Sequence, residues 1–493
     1  MAISFDNVPS TLRVPFVAIE IDNTNAIQGP VVKPYKLLLI GQRTTAGTVA
    51  KEVPTRVTSA AQAKTYFGQG SMLAQMCAAS INANNFTETW ACALDDDAGG
   101  VKATQTLTVT GPATAAGTIY LYVGGTRLTV AVAASDTAND IAAAIDAACD
   151  ANLDLPMVAT SATNVVTLTA VHKGEAGNKI DVRLNYYAGE ALPAGVAIAI
   201  AAGVTGTTNP DMSNLIAALG DVQYDHIAMP YVDSNSFVDI EAEMLSRFGP
   251  LRPLEGMVTT ADNSNHTDLS TLGNSRNSSF VTIEPCYDSP TLVWEVASIS
   301  AAVKAYYGNI DPARQFRGLA LTGMLPPPVA SRFTIAEQNL HLYDGVSTNY
   351  VDAGGVVRIG RSITTYKQNS VGADDPSYLD VVTPMLLGYL RYDFRNMILL
   401  KYPRHKLADD GTRFGSGQPI VTPKTLKGEL LSKFREWEVL GYVENFEQFK
   451  RDLIVERNIT DPNRVDMTLP VDLINNAMVF GAKMNFLLQG SSL

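Results

Sequence analysis

The 493-residue chain is 46% hydrophobic and 17% charged, with 37 Lys and Arg against 49 Asp and Glu, a formal net charge of −12. At roughly 150 residues per domain it should fold as about three globular domains; it is too acidic to wrap nucleic acid, has no polybasic segment for an anionic membrane and no run near the ~18 apolar residues of a membrane span. The N-terminus lacks a basic-then-apolar leader, and Cys77, Cys92, Cys149 and Cys286 never form Cys-x-x-Cys, so they read as buried thiols of a protein made in a reducing cytoplasm.

Residues 1–30 read as an N-terminal arm. Val17, Ile19 and Ile21 alternate with Ala18, Glu20 and Asp22, the two-residue period of a strand, which is either an arm or an edge strand of the first domain. Residues 31–100 read as the first part of a core α/β domain. Lys36–Gly41 is a short apolar strand, Leu73, Met76, Cys77, Ser80 and Ile81 share a helical face, and Thr87–Leu94 is strand-like. Composition changes over 101–205, where Thr and Val alternate in Thr104–Thr110, Thr118–Val123 and Asn164–Ala170, with one Ala-rich helix near Thr137–Asn152. This reads as a mostly-β domain inserted between two halves of another, able to fold alone and dispensable to it.

From 206 to 370 strand and helix alternate again, which predicts a mostly parallel, helix-covered sheet. Strands are expected at His226–Tyr231, Gly256–Thr260 and Phe280–Glu284. A helix follows, with Ser289 as N-cap, Pro290 in its first turn, Gly308 beyond its end, and Leu292, Val296, Ile299, Val303 and Tyr306 as its apolar stripe. Residues 371–475 form a helix-rich α+β domain. There Thr422-Pro423 opens a helix with Leu426, Leu430, Phe434, Trp437 and Leu440 on one face, closed by Gly441, and Val465, Met467 and Leu469 alternate as a strand. In the final segment, 476–493, Met478, Phe480, Met484, Phe486 and Leu488 keep a period of two. A terminus this apolar needs cover from its own domain or another chain.

Catalytic motifs are missing. The sequence has no phosphate-cradling Gly-x-x-x-x-Gly-Lys, no Gly-x-Gly-x-x-Gly, no His-Glu-x-x-His and no Gly-x-Ser-x-Gly. The five histidines have no zinc-ligand spacing, so neither metal nor cofactor is expected. A Ser/His/Asp triad need not be local in sequence, and Asp225-His226 and the stretch Asp262–His266 are the places to look. Asp95, Asp96 and Asp97 read as a solvated turn between domains, because no further carboxylates follow at cation-loop spacing. Lys401, Arg404, His405 and Lys406 read as a surface patch facing an acidic neighbour.

A series of short strings runs in order along most of the chain. It includes Thr137–Ile145, Leu155-Pro156, His172–Asp181, Arg247–Pro250, Asp311–Arg314, Leu325–Pro328, Asp344–Thr348, Arg361–Tyr366, Tyr378–Asp380, Leu390–Arg395 and Asp461–Arg464. Together they resemble the sheath proteins of contractile phage tails, most of all those of phage Mu and its relatives. The resemblance implies a structural protein and not an enzyme. Its middle domain is expected to be a subtilisin-like α/β fold without protease function, its insert to project outward, and its C-terminal sheath domain to be completed by N-terminal chain. It implies six-fold rings stacked around a tail tube, with neighbours joined by terminal arms that add strands to each other's sheets; Val17, Ile19, Ile21, Met478, Phe480, Met484, Phe486 and Leu488 are the candidate linking residues. The implied partners are identical subunits, the tail tube protein, and baseplate and tail-end proteins. The implied place is the virion tail, after assembly in the host cytoplasm. The alternatives are the sheath of a related bacterial injection device and a degenerate hydrolase.

Overall fold

A computed structural model describes residues 33–486. The strand expected around Val17, Ile19 and Ile21, and the residue Leu488, lie outside the described residues.

The fold starts with β1 (Lys36–Gln42). Its Leu37, Leu38, Leu39 and Ile40 are all fully buried; an unbroken apolar run of this kind suits a strand covered on both faces. There follow β2 (Thr55–Val57), α1 (Ala60–Phe67), α2 (Met72–Ala83) and β3 (Glu88–Leu94). Ser59 and Ser71 cap the two helices by accepting from the backbone N–H of Gln62 and Ala74. Leu73, Met76, Cys77 and Ser80 are buried along α2, and Ile81 sits half-buried at the margin.

Next come β4 (Lys102–Thr110), β5 (Gly117–Val123), β6 (Thr126–Val132), α3 (Ala138–Asp150), β7 (Met157–Ala162), β8 (Val165–Lys173), β9 (Val182–Leu184) and β10 (Ala197–Ala202). They build two antiparallel sheets, β10-β4-β8-β7 and β6-β5-β9. The Thr/Val alternation does its work in β4, where Leu107 and Val109 are buried and Thr108 and Thr110 exposed. Thr137 and Asp140 close a reciprocal capping box at the start of α3.

The chain then returns to the first sheet through α4 (Ser213–Leu219), β11 (His226–Ala228), α5 (Ser234–Arg247), β12 (Met257–Asp262), α6 (His266–Asn274), β13 (Val281–Pro285) and α7 (Val293–Ile310). The six-stranded order is β13-β12-β11-β1-β3-β2, parallel except for β2. Leu37 lies opposite His226, so strands from either side of the two antiparallel sheets are neighbours. β11 is shorter than its apolar sequence suggests, because Pro230 has no N–H to continue the ladder.

The limits of α7 differ from expectation. Its N-cap is Leu292, without a side-chain cap, while Ser289 Oγ donates to the Leu325 carbonyl and accepts from the Thr291 N–H. Gly308 lies inside the helix. It is there for space: a Cβ at that position would come within 2.3 Å of Met385 Cε.

The remainder comprises α8 (Ile335–Asp344), the hairpin β14 (Thr348–Val351) and β15 (Val357–Arg361), α9 (Val382–Lys401), the pair β16 (Lys406–Leu407) and β17 (Ile420–Val421), α10 (Pro423–Val439), β18 (Val443–Glu444), α11 (Phe446–Asp452), β19 (Ile454–Arg457), β20 (Val465–Thr468) and β21 (Asp472–Leu473). Thr422 caps α10 and Pro423 occupies its first turn. Leu426, Leu430, Phe434 and Trp437 are buried, but Leu440 is the C-cap residue and is 47% exposed, so the stripe ends one turn early. A second core forms here, with Leu390, Leu430, Phe434, Trp437 and Phe449 at its centre, apart from the large core of the preceding sheets.

Candidate assembly surfaces

β21 pairs with β18, and the Ile474 N–H adds one more bond, to the Tyr442 carbonyl. Beyond it the chain has no strand or helix through residue 486. Arg317 Nη1 donates to the Met478 carbonyl at 2.8 Å, and Met478 is half-buried. Phe480, Met484 and Phe486 are 83%, 91% and 80% exposed. The two-residue period of this segment thus forms no strand among the described residues, and four large apolar side chains on one short run, these three and Val479, stay in water. Covering each would gain about 1.5–3 kcal/mol. β18-β21 and β19-β20 are both two-stranded, so each leaves strand edges without a partner among the described residues.

A second surface is internal. Asp96 Oδ1 accepts from Gln42 Nε2 and from His172 Nδ1, each at 2.8 Å, and Asp96 Oδ2 accepts from the Lys173 N–H at 3.0 Å. His172 Nε2 accepts from the Met72 N–H at 3.1 Å, which fixes the tautomer protonated at Nδ1. Asp96 is therefore no solvated turn residue: it joins β1, the start of α2 and the end of β8. Three further links cross the same seam, Lys179 to Asp262 (3.1 Å), Arg183 to Asp288 (2.8 Å) and the Tyr186 hydroxyl to the Pro326 carbonyl (2.7 Å). Burial alone would raise the Asp96 carboxyl, but the bonds from His172, Lys173 and Gln42 outweigh it and hold the pKa below the ordinary value. Such a depressed group contributes stability above its unfolded pKa of about 3.9 and loses it as pH falls through the folded value. Asp96→Asn should accordingly cost about 1–3 kcal/mol at neutral pH, and the difference from wild type should shrink in melts carried down to pH 3.

Of the residues a triad could draw on, Asp225, Asp262 and His266 are engaged otherwise, and His226 is buried without a partner. Asp225 pairs with Lys33 Nζ at 2.7 Å and accepts from the Lys36 N–H. Neither ring nitrogen of His226 has a protein partner, and burial, with the charges of Lys304 and Lys33, pushes its pKa down to about 3. Asp262 belongs to the Lys179 link, and His266 Nδ1 faces His341 Nε2 at 2.7 Å. Among the described residues no serine hydroxyl is hydrogen-bonded to a histidine, and no three His, Cys, Asp or Glu side chains are placed to hold a metal. Lys401 pairs with Glu429, while Arg404, His405 and Lys406 are exposed.

Three sequence-family models match successive parts of the chain: the phage tail sheath protein beta-sandwich domain over residues 98–197, its central domain over 205–365 and its C-terminal domain over 373–486. The Mu-like prophage FluMu tail sheath protein of Haemophilus influenzae is 41% identical over 488 residues, which cover 99% of this chain and all of that one. The chain belongs to the phage tail sheath family. It is a mixed α/β multidomain sheath protein with a β-sandwich domain, and its relatives are structural proteins. Among solved structures, the sheath tail protein of Desulfitobacterium hafniense matches with a TM-score of 0.47 at 12% identity, covering 93% of this chain and 100% of that one. The sheath tail protein Lin1278 of Listeria innocua gives 0.48 at 12% identity, with 90% and 93% covered.

Sequence reasoning missed the Asp96 link and the buried Lys304–Glu284 pair. A cue for the first stood in the sequence, since His172-Lys173 belongs to a string that marks the family. For the second, nothing local sets a lysine within an apolar helical stripe apart from an exposed one.

Proposed function

We propose that this sheath chain polymerises around a tail tube through its terminal segments, and that the run Met478–Phe486, exposed from Val479 onward, adds to a strand edge of a neighbouring copy. The observation that carries the reading is the exposure of Phe480, Met484 and Phe486, all at even positions of one short run, in a chain that spans the whole length of a tail sheath protein. Strand addition gives main-chain bonds that survive rotation of the attached domains, which a contracting lattice needs. Val17, Ile19 and Ile21 would serve at the other end. Leu488 would extend the C-terminal run. The parallel order of β13, β12, β11, β1 and β3 supports a subtilisin-like middle domain, and the engagement of Asp225, Asp262 and His266 in other contacts supports its lack of protease function. The tube protein and the baseplate and tail-end proteins are the remaining partners in this reading. The setting is the virion tail, assembled in the host cytoplasm, and contraction drives the tube through the host envelope.

The test is purified wild type beside a Phe480→Ser/Phe486→Ser variant, each examined by negative-stain microscopy and calorimetry. Wild type should form long hollow tubes. The variant should stay monomeric, with a melting temperature within about 2 °C, because exposed terminal residues contribute little to their own core. Normal tubes from the variant would refute this role for the segment.

A further inference from the structure

The sheet β10-β4-β8-β7 ends in two edge strands of six residues each, Ala197–Ala202 and Met157–Ala162. Neither carries a charge or a proline, the devices by which edge strands avoid pairing with other chains. The register shows which backbone groups point outward. The Gly203 N–H bonds the Thr104 carbonyl, so residues of the same parity in β10 face β4 and Ile198, Ile200 and Ala202 face away. The Val109 N–H bonds the Asn164 carbonyl, which sets the parity of β8 and leaves Met157, Ala159 and Ser161 facing outward on β7. The Ser161 N–H is taken by Asp146, in agreement with that assignment.

We propose that β10 of one copy pairs with β7 of the next, continuing this sheet from subunit to subunit. The inference rests on the reading that the chain polymerises. The occupant follows from direction. β10, β4, β8 and β7 alternate, each antiparallel to its neighbour, so β7 of one copy and β10 of an identically oriented copy are antiparallel too. Copies in a polar lattice share an orientation and meet through two different surfaces, and two different edges are what this sheet offers. Ala159 opposite Ile200 and Met157 opposite Ala202 give four backbone bonds without disturbing Asp146. That register keeps core-facing side chains on one side. The contact is too small to hold a dimer in solution, so it forms only where other contacts already set a high local concentration.

This register places Thr160 opposite Ala199 of the next copy as a pair with exposed side chains, about 4.5 Å between Cα atoms, within the reach of a disulfide. Within one chain the two lie three strand spacings apart, roughly 14 Å, and the four described cysteines are all buried. Tubes of the Thr160→Cys/Ala199→Cys variant, oxidised and run on a non-reducing gel, should give a ladder of multimers at least about tenfold stronger than either single variant. Ile200→Pro in that background removes an outward N–H and leaves the bonds to β4. It should abolish the ladder while the melting temperature holds. Tubes that assemble normally without a ladder overturn the inference, as does a ladder undiminished by Ile200→Pro. Failure of wild type to form tubes overturns the polymerising reading and takes this inference with it.

Discussion

Replacing Lys304 by Met should destabilise the protein by about 3–5 kcal/mol. Lys304 Nζ lies 2.5 Å from Glu284 Oε1, and both side chains are fully buried between α7 and β13. The other Glu284 oxygen has no protein partner, and His226 nearby has none either. Burial pulls the lysine pKa down and Glu284 opposes it. Methionine fills most of the space of the lysine stem but strands a carboxylate in the core. Adding Glu284→Leu should restore most of the loss, since apolar replacement of a whole buried pair is often neutral or stabilising. Urea melts of the two variants decide the matter, and a double variant no more stable than the single one would show that the lysine acts through packing.

Excising residues 101–205 and bridging the gap with a Gly/Ser linker should abolish soluble folded protein, or lower the melting temperature by about 10 °C or more. The sequence alone suggests the opposite, an outer unit dispensable to the rest. The expected loss rests on how closely the seam is packed. A Cβ on Gly124 would come within 2.6 Å of Leu292 Cδ2, and one on Gly70 within 2.6 Å of the Leu153 carbonyl. Excision would bare Leu292, Met72 and Trp294 and take from Asp96, Asp262 and Asp288 their bonds to His172 and Lys173, to Lys179 and to Arg183. Proteolysis and circular dichroism read the result, and a folded, cooperatively melting product would show the seam to be incidental.

Elements fixed by local chemistry were legible in the sequence. The apolar run of β1, the helical face of α2, the Ala-rich run of α3 and the Thr422-Pro423 start of α10 each depend on residues within a turn or two. Elements set by distant partners were not. Ser289 looks like an N-cap until Leu325 claims its hydroxyl, and Gly308 looks like a helix end until Met385 is seen against it. The acidic turn at Asp95–Asp97 looked solvated because His172, its partner, lies 76 residues away. Several strings that carried the family resemblance prove to be internal pins. Arg247, fully buried, donates to the carbonyls of Val222 and Gly220, and Arg361 forks onto Asp380. Of the candidate assembly residues, Phe480, Met484 and Phe486 were legible as an apolar run, but that their own domain leaves them uncovered could be seen only in the fold.

Helix α9 belongs to both cores at once. Val382 and Met385 pack in the first, and Leu386, Leu390 and Met397 in the second. Arg391 bonds Glu255 and the Phe248 carbonyl, so the helix is anchored along its side as well. At 20 residues it is a stiff rod about 30 Å long. Such a rod converts angle into travel: tilting its first turn by about 10° sweeps its far end through about 5 Å. A small reorientation of the parallel sheet would thereby be delivered, enlarged, to the far end of the helix, where Lys401 pairs with Glu429 of α10.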